Sequence, residues 1–203
     1  MKLMKFARSA PKWLRAILSQ LSIWIGAETL GKFLSIILLV SGLIAGAAMY
    51  YLQVYGFYDE VALNPGQDVI LTPLDGSAPQ PIEYSDFRAI DADSSPIRYR
   101  ACFTTTQSRE ELAQLYQQAT QKHPRNAPGW FDCFDADALG EALADGSATA
   151  FVSVKDLIYG VDRIVAVTDK GQGFVWHEFN ECGRKAYNGH AVGPNCPPRP
   201  EAN

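Results

Sequence analysis

An uninterrupted apolar stretch near the N-terminus constrains the fold of this chain more than any other feature. The stretch covers residues 33–51, and no charged residue occurs between Lys32 and Asp59. About 19 residues with a helical rise of about 1.5 Å each nearly cross a hydrocarbon core that is about 30 Å thick. A helix pairs all of its backbone groups within the segment, as lipid requires. We therefore predict a transmembrane helix over residues 32–54.

The charges on the two sides of this stretch predict its orientation. Six basic residues and one acidic residue precede it, whereas the first charged residues after it are acidic. The six basic residues are Lys2, Lys5, Arg8, Lys12, Arg15 and Lys32. Lys and Arg concentrate on the cytoplasmic side of membrane proteins. We therefore expect a single-pass protein of the bacterial inner membrane, with a cytoplasmic N-terminus and a periplasmic C-terminal domain.

A cleaved signal peptide is an alternative to a retained anchor. Small residues at positions 45–48 would suit cleavage, but the apolar run is longer than a usual signal core and continues into Tyr50 and Tyr51. Tyrosines at that position are typical of the aromatic belt at a membrane surface. We therefore favour a retained anchor.

The segment before the span, residues 1–31, allows two interpretations. Apolar residues recur there at helical spacing beside basic residues, which predicts an amphipathic helix on the inner leaflet. Alternatively, translation starts at Leu30 from a non-ATG codon, and the first 29 residues are not part of the native protein. The sequence leaves both interpretations open.

The chain after the span is long enough for one domain, and it is acidic. Of 18 basic and 22 acidic residues, six and one precede the span, which leaves 12 and 21 and a net charge of −9. An acidic surface repels phosphate groups, so we expect no nucleic-acid partner. The expected partners are the lipid bilayer and other inner-membrane proteins.

Short apolar segments separated by turn residues predict an α+β domain over residues 55–181, with a mostly antiparallel sheet and two helices. The predicted strands are 69–72, 82–90, 97–105, 148–154, 161–168 and 173–179. Ser108 and Glu111 form a capping box for the first helix, whose apolar face predicts an end just before Pro124. The second helix, 136–145, lies between an Asp135 cap and Gly146. Residues 182–203, rich in Gly and Pro, are predicted to be an irregular tail.

Four cysteines, all after the predicted span, predict two disulfides in an oxidising compartment. Three pairings can be drawn. We favour Cys102 with Cys133, because the first lies in a predicted core strand and the second precedes a helix. Cys182 with Cys196 would then close a loop of about 15 residues, worth roughly 3 kcal/mol.

A metal site is the rival interpretation of the C-terminal cysteines. The zinc-type or copper-type ligands in this region are His177, Cys182, His190 and Cys196. Their spacing contains no tight pair of the C-x₂-C kind, and thiols outside the cytoplasm usually oxidise. We therefore predict no metal site and no cofactor.

Catalytic motifs are absent from the sequence. It contains no serine nucleophile elbow, P-loop, dinucleotide fingerprint or C-x-x-C motif. Two Asp-x-Asp segments, which start at Asp91 and Asp135, begin like calcium loops but lack the later ligands, so we interpret them as turn and cap residues. We expect no catalytic residue and no enzymatic activity.

Two groups of residues are candidates for a partner surface. Trp130, Phe131 and Asp132 lie in a short aromatic segment, 129–134, which we interpret as core; the alternative is an exposed docking platform. Gly42 and Ala45 give the span small residues that suit close helix packing.

Five short motifs carry a resemblance to a known family. They lie at residues 31–34, 51–58, 99–103, 129–135 and 160–163. Together they resemble uncharacterised single-span membrane proteins of alphaproteobacteria, over about residues 30–181, with the tail outside the pattern. The resemblance implies that Cys102 and Cys133 are the core pair, and it implies no known activity. Members are sometimes labelled histidine kinase, but this sequence has no phospho-acceptor helix and no ATP-binding glycine boxes.

The sequence thus predicts a membrane-anchored periplasmic domain that serves as a non-catalytic accessory or assembly factor of an inner-membrane complex. A periplasmic ligand-binding or sensory domain is the alternative. A metal-binding protein or an enzyme is the least favoured interpretation.

Overall fold

The computed structural model describes residues 12–199, with side chains from residue 29 onward. The predictions for residues 1–11, and for the apolar face of residues 12–28, lie outside these described residues. The chain divides into two compact units, Met1–Gln53 and Val54–Asn203. Each unit is described by itself.

The first unit contains one long helix, α1, Lys12–Val54. Its last 26 residues, Thr29–Val54, have a mean hydropathy of 2.2, and none of the most apolar window is buried. The segment is long and apolar enough to cross a membrane, as predicted. The helix also continues without a break into the residues that the sequence analysis treated as a separate amphipathic segment.

The second unit contains the remaining described elements. In chain order they are β1 (Asp59–Glu60), β2 (Ile70–Leu71), β3 (Gln80–Pro81), β4 (Ser85–Asp91), β5 (Arg100–Thr104), α2 (Arg109–Leu115), α3 (Ala136–Asp145), β6 (Ala148–Ile158), β7 (Val161–Thr168) and β8 (Gln172–Phe179). Six strands form one sheet in the order β1-β4-β5-β8-β7-β6, and every neighbouring pair is antiparallel. β2 and β3 form a separate two-stranded sheet. The predicted α+β class with a mostly antiparallel sheet is therefore confirmed.

Both faces of the large sheet are covered by apolar cores. One core lies under α2 and the two-stranded sheet and includes the fully buried Phe151 and Val175. The other lies under α3 and the aromatic segment and includes the fully buried Trp176. Side chains alternate between faces along a strand, so one strand serves both cores. Each buried large apolar side chain contributes about 1.5–3 kcal/mol.

Helix α2 is shorter than the sequence predicted. It ends at Leu115, and Tyr116 has an extended backbone with φ of −123° and ψ of 153°. The next residues pair with the edge of β6: the Ala119 amide donates to the Ala150 carbonyl at 2.9 Å, and the Val152 amide donates to the Gln117 carbonyl at 2.8 Å. Pairing with an open sheet edge satisfies more backbone groups than a few extra helical residues would, so it overrides the local helical pattern.

The strand register defines two ends of the large sheet. At one end, Asp59 pairs with Asp91, and Val161 pairs with both Ile158 and Phe179. We call this the entry end, because the second unit begins there at residues 54–58. The opposite, far end carries the turns at residues 105–108, 146–147 and 169–171.

Candidate functional site

An aromatic corner lies where the second unit begins. The indole Nε1 of Trp130 donates to the carbonyl oxygen of Val54 at 2.7 Å. The same ring stacks on Tyr55, with centroids 6.3 Å apart, and meets Tyr58 edge-on at 6.2 Å. Trp130 is half-buried, so its polar group is satisfied while part of the ring stays at the surface. The corner therefore fixes the first residues of this unit against the aromatic segment.

A charged pair borders the aromatic corner. Arg88 on β4 donates from Nη1 to Oδ1 of Asp132 at 2.9 Å, and the two side chains are 55% and 77% exposed. The Arg88 guanidinium also lies over the ring of Phe131, 5.4 Å from its centroid. Exposed pairs of this kind stabilise a fold by less than about 1 kcal/mol. Both charges therefore stay accessible to a partner at little energetic cost.

The structure separates the members of the predicted partner surface. Phe131 is 3% exposed and belongs to the core, Asp132 is at the surface, and Trp130 lies between these two environments. Gly42 and Ala45 belong to α1 in the first unit and are exposed within the described chain. A Cβ atom at Gly42 would meet no other atom within 4 Å.

Two disulfides are present in the second unit. Cys102 on β5 bonds to Cys133, which joins the aromatic segment to the sheet. Cys182 bonds to Cys196 and closes the tail into a loop. The sequence analysis favoured this pairing among the three.

Three of the four residues considered as metal ligands have other side-chain partners, and the fourth, His190, is exposed on the tail. Cys182 and Cys196 are bonded to each other, so neither is a thiolate ligand. His177 is 6% exposed, and both ring nitrogens have partners: Nδ1 donates to the Pro96 carbonyl at 2.8 Å, and Nε2 accepts from Arg163 Nε at 3.1 Å. Within residues 12–199 the structure brings together no group of three His, Cys, Asp or Glu side chains that could hold a metal ion.

A stack of polar rings lies inside the sheet at the entry end. The centroids of the His177 and Tyr99 rings lie 4.8 Å apart. The Arg163 guanidinium lies over the Tyr99 ring, 4.6 Å from its centroid. Burial, with the nearby Arg163 charge, lowers the pKa of His177 to about 4. Burial also raises the pKa of Tyr99 to about 12. At neutral pH both side chains are therefore uncharged, and Arg163 carries the charge of the stack.

Two further charged residues are buried at this end, and neither was predicted from the sequence. Arg100 is 3% exposed, and its guanidinium donates to the carbonyl oxygens of Ile97, Tyr99 and Arg125 at 2.6–2.9 Å. Burial lowers its pKa to about 10. Glu178 accepts from the backbone amide of His123 at 3.0 Å and is 6% exposed. A charged residue inside an otherwise apolar strand was the available signal, but the partners at Arg125 and His123 lie on a distant loop.

A shallow cavity of about 340 Å³ lies at the far end, between α3 and the β7–β8 turn. Leu139 and Phe174 contribute to its apolar wall, and Asp135 and Lys170 line its polar part. An apolar cleft with a few polar groups is the usual form of a small-molecule site. This cavity is at the small end of the volume range of such sites.

These features define an α+β domain with two disulfides that follows an apolar helix. The chain belongs to a family of unknown function (DUF6446), which matches residues 69–197. No curated protein sequence and no solved structure matches the chain. The family match includes the tail up to residue 197, so the expectation that the tail lies outside the family pattern is wrong. The Tyr159 hydroxyl donates to the Pro197 carbonyl at 2.9 Å, which holds the end of the tail against the β6–β7 hairpin.

Proposed function

We propose that this chain is a non-catalytic accessory or assembly factor of a bacterial inner-membrane complex. In this proposal α1 is the anchor, the N-terminus is cytoplasmic, and the disulfide-bonded domain is periplasmic. The charge asymmetry around the apolar helix supports the orientation. Two disulfides support an oxidising compartment.

One observation carries the proposal. The compact second unit begins at Val54, which is also the last residue of α1, and Trp130 bonds directly to the carbonyl of that residue. The domain therefore begins in the chain where the apolar helix ends, which suits a factor that acts on a partner within the same membrane.

The composition of the anchor supports a protein partner. Gly42, Ala45 and Gly46 recur at helical spacing, and the described chain places nothing against them. Small residues at such spacing let a second helix approach closely in lipid, where packing drives association. The exposed Arg88–Asp132 pair supplies a polar contact for the partner's periplasmic part.

Purification of the full chain from its native membrane in a mild detergent tests this proposal. We expect a stoichiometric complex with one or more membrane proteins. The variant Gly42→Ile should lose the partner, because the side chain blocks close helix packing. Val40→Ile adds a methylene group on another side of the helix and should retain it.

A chain that stays monomeric in every mild detergent and after crosslinking in intact membranes would contradict the proposal. Equal recovery of the partner with Gly42→Ile and Val40→Ile would move the contact from the anchor to the domain. In that case Asp132→Arg, which reverses one charge beside Arg88, should reduce recovery.

The cavity at the far end favours a second candidate function, a ligand-binding or sensory domain. Its wall and its Lys170 would suit a small molecule with an apolar body and an anionic group. A thermal-stability screen of the full chain with such compounds tests this candidate. Stabilisation that disappears in Lys170→Gln but persists in Lys155→Gln, which changes a lysine outside the cavity, would support it.

A further inference from the structure

The β6–β7 hairpin ends in apolar side chains that the domain does not bury. Leu157 and Ile158 are 39% and 50% exposed at its tip. The turn itself, Tyr159-Gly160, contains the glycine that a tight turn favours, and Leu157 and Ile158 are the last residues of β6 before it. The neighbouring tail also exposes Tyr187 and Val192. These apolar residues therefore need an explanation other than turn geometry.

The tip lies at the same end of the sheet as residues 54–58. Pairing runs across all six strands, from Glu60 on β1 through Ile90, Arg100, Trp176 and Ile164 to Val152 on β6, and Val161 and Ile158 lie beyond this row at the entry end. Five strand spacings of about 4.8 Å separate β1 from β6, or about 24 Å across the sheet. Both points belong to the second unit, so this spacing is a property of the domain itself.

The tip is held in a fixed conformation. The Asn180 side-chain amide donates to carboxylate oxygens of Asp156 and Asp162 at 2.8 Å each, which ties the two hairpin strands to the end of β8. Gly160 packs so closely against Gly183 that neither position has room for a Cβ atom. These contacts fix the hairpin on both sides, so Leu157 and Ile158 occupy a defined position in the domain.

The far end of the sheet has the opposite surface. Its turns at residues 105–108, 146–147 and 169–171 contain no large exposed apolar side chain in the described structure. Its exposed charges are mostly acidic: Glu83, Asp86, Glu110, Glu111, Asp145 and Asp169, beside Lys170. Near the hairpin tip the exposed charges are mixed: Lys155, Arg184 and Lys185 lie beside Asp156 and Glu181. Basic residues beside apolar ones suit an anionic lipid surface, and a surface with mostly acidic charges does not.

We propose that the Leu157–Ile158 tip inserts into the headgroup region of the bilayer that holds α1. The inference rests on the proposed function for the anchor itself. The chain reaches this end of the domain from the apolar helix, so the lipid surface around that helix is the occupant that we propose for the tip.

Site-specific photocrosslinking of the full chain tests the inference. The photoreactive residue p-benzoyl-phenylalanine replaces Ile158 at the tip, Lys170 in the far-end turn, or Leu38 inside α1. Each variant is reconstituted in vesicles of phosphatidylethanolamine and phosphatidylglycerol, irradiated, and analysed by mass spectrometry for lipid adducts. All three positions are exposed, so the replacement itself leaves the fold intact.

We expect adducts at positions 38 and 158, with the yield at 158 roughly fivefold or more above that at 170, because an interfacial apolar contact reaches about 5–10 Å into the headgroup region. Adducts at 38 with equal yields at 158 and 170 would overturn the inference and leave the anchor intact. A missing adduct at 38 would overturn the anchor as well. In native membranes, crosslinks from position 158 to a protein in place of lipid would overturn the inference that the tip contacts lipid and would indicate a protein contact.

Discussion

The two ends of the large sheet distribute polar and apolar residues in opposite ways. At the entry end, charged side chains such as Arg100 and Glu178 are buried, and apolar side chains such as Ile158 are exposed. At the far end, charged side chains cap turns at the surface, and the apolar side chains are inside. The far end follows the usual rule for a domain in water. The entry end departs from this rule where the chain arrives from an apolar helix.

The difference predicts how each end responds to substitution. A buried charged group holds several backbone carbonyls that have no access to water, so its removal leaves them unsatisfied. Water can solvate each partner of an exposed ion pair when the other is removed, so loss of the pair costs little free energy of unfolding. Substitutions at the entry end should therefore cost several times more free energy than those at the far end.

Arg100→Met should have the largest effect. The change leaves the carbonyls of Ile97, Tyr99 and Arg125 buried without their donor, and we expect a loss of about 3–5 kcal/mol in the free energy of unfolding. Urea unfolding of the full chain in detergent, followed by tryptophan fluorescence, to which the buried Trp176 contributes, measures it. Arg88→Met, at an exposed arginine on the adjacent strand, is the matched control and should cost less than about 1 kcal/mol. Equal losses would remove the distinction between buried and exposed charge.

Acidification should reveal His177 as the next largest contribution. Its pKa is lowered to about 4 in the folded state, from an ordinary value of 6.5, so the unfolded chain binds more protons between these values. The contribution of His177 to the free energy of unfolding is therefore fully present above pH 6.5. It falls by about 3 kcal/mol as the pH drops toward 4.

Urea unfolding at several pH values between 4 and 7 checks the prediction. His177→Gln can keep both hydrogen bonds without titrating, so its stability should depend less on pH over this interval. His190→Gln, at an exposed histidine, should leave the dependence unchanged. Identical curves for the wild type and His177→Gln would show that this buried ring does not control the acid response.

Ser108→Ala probes the far end and should have a moderate effect. The Ser108 hydroxyl accepts from the Glu111 amide at 3.2 Å, and the Glu111 carboxylate accepts from the Ser108 amide at 3.1 Å. Loss of such a cap costs about 1 kcal/mol. The same unfolding assay measures the change, and Ser108→Thr should restore most of the stability because it keeps the acceptor oxygen. A loss as large as that of Arg100→Met would contradict the comparison.

Asp169→Asn should have the smallest effect. Its carboxylate accepts from Arg109 Nε, and the two side chains are 52% and 24% exposed. We expect a change of about 0.5 kcal/mol or less at low ionic strength. In about 1 M salt the difference from the wild type should vanish, because the Debye length falls to about 3 Å. A difference that persists in high salt would indicate packing as the source of the effect.

Local rules were enough to predict much of this fold. The sequence predicted β7 at its observed bounds, and it predicted α3 with its Asp135 cap and Gly146 end, where φ is +86°. These features depend on residues within a few positions of each other: alternation in the strand, and a cap and a left-handed residue at the helix ends. The apolar helix was predictable for the same reason.

Features that depend on distant partners were not predictable from the sequence. The early end of α2 depends on pairing with β6, more than a helix length away in the chain. The burial of Arg100 depends on carbonyl groups of the loop around Arg125, and that of Glu178 on the amide of His123. The aromatic segment, interpreted from the sequence as core, shows the same limit in part: Phe131 is buried as expected, whereas Asp132 beside it lies at the surface.

The strand order also has a consequence for the sequence of folding events. β6, β7 and β8 are consecutive and pair as neighbours, whereas β5 meets β8 only after a long loop closes. Loop closure precedes the gain from such pairing, so we expect the joining of the two halves to be the slow step. Until then β5 has an open edge while the Cys102–Cys133 bond can already form. Pulsed hydrogen exchange during refolding should therefore show late protection of the amides that pair β5 with β8, and only during this interval should the open edge of β5 pair with strands of other molecules.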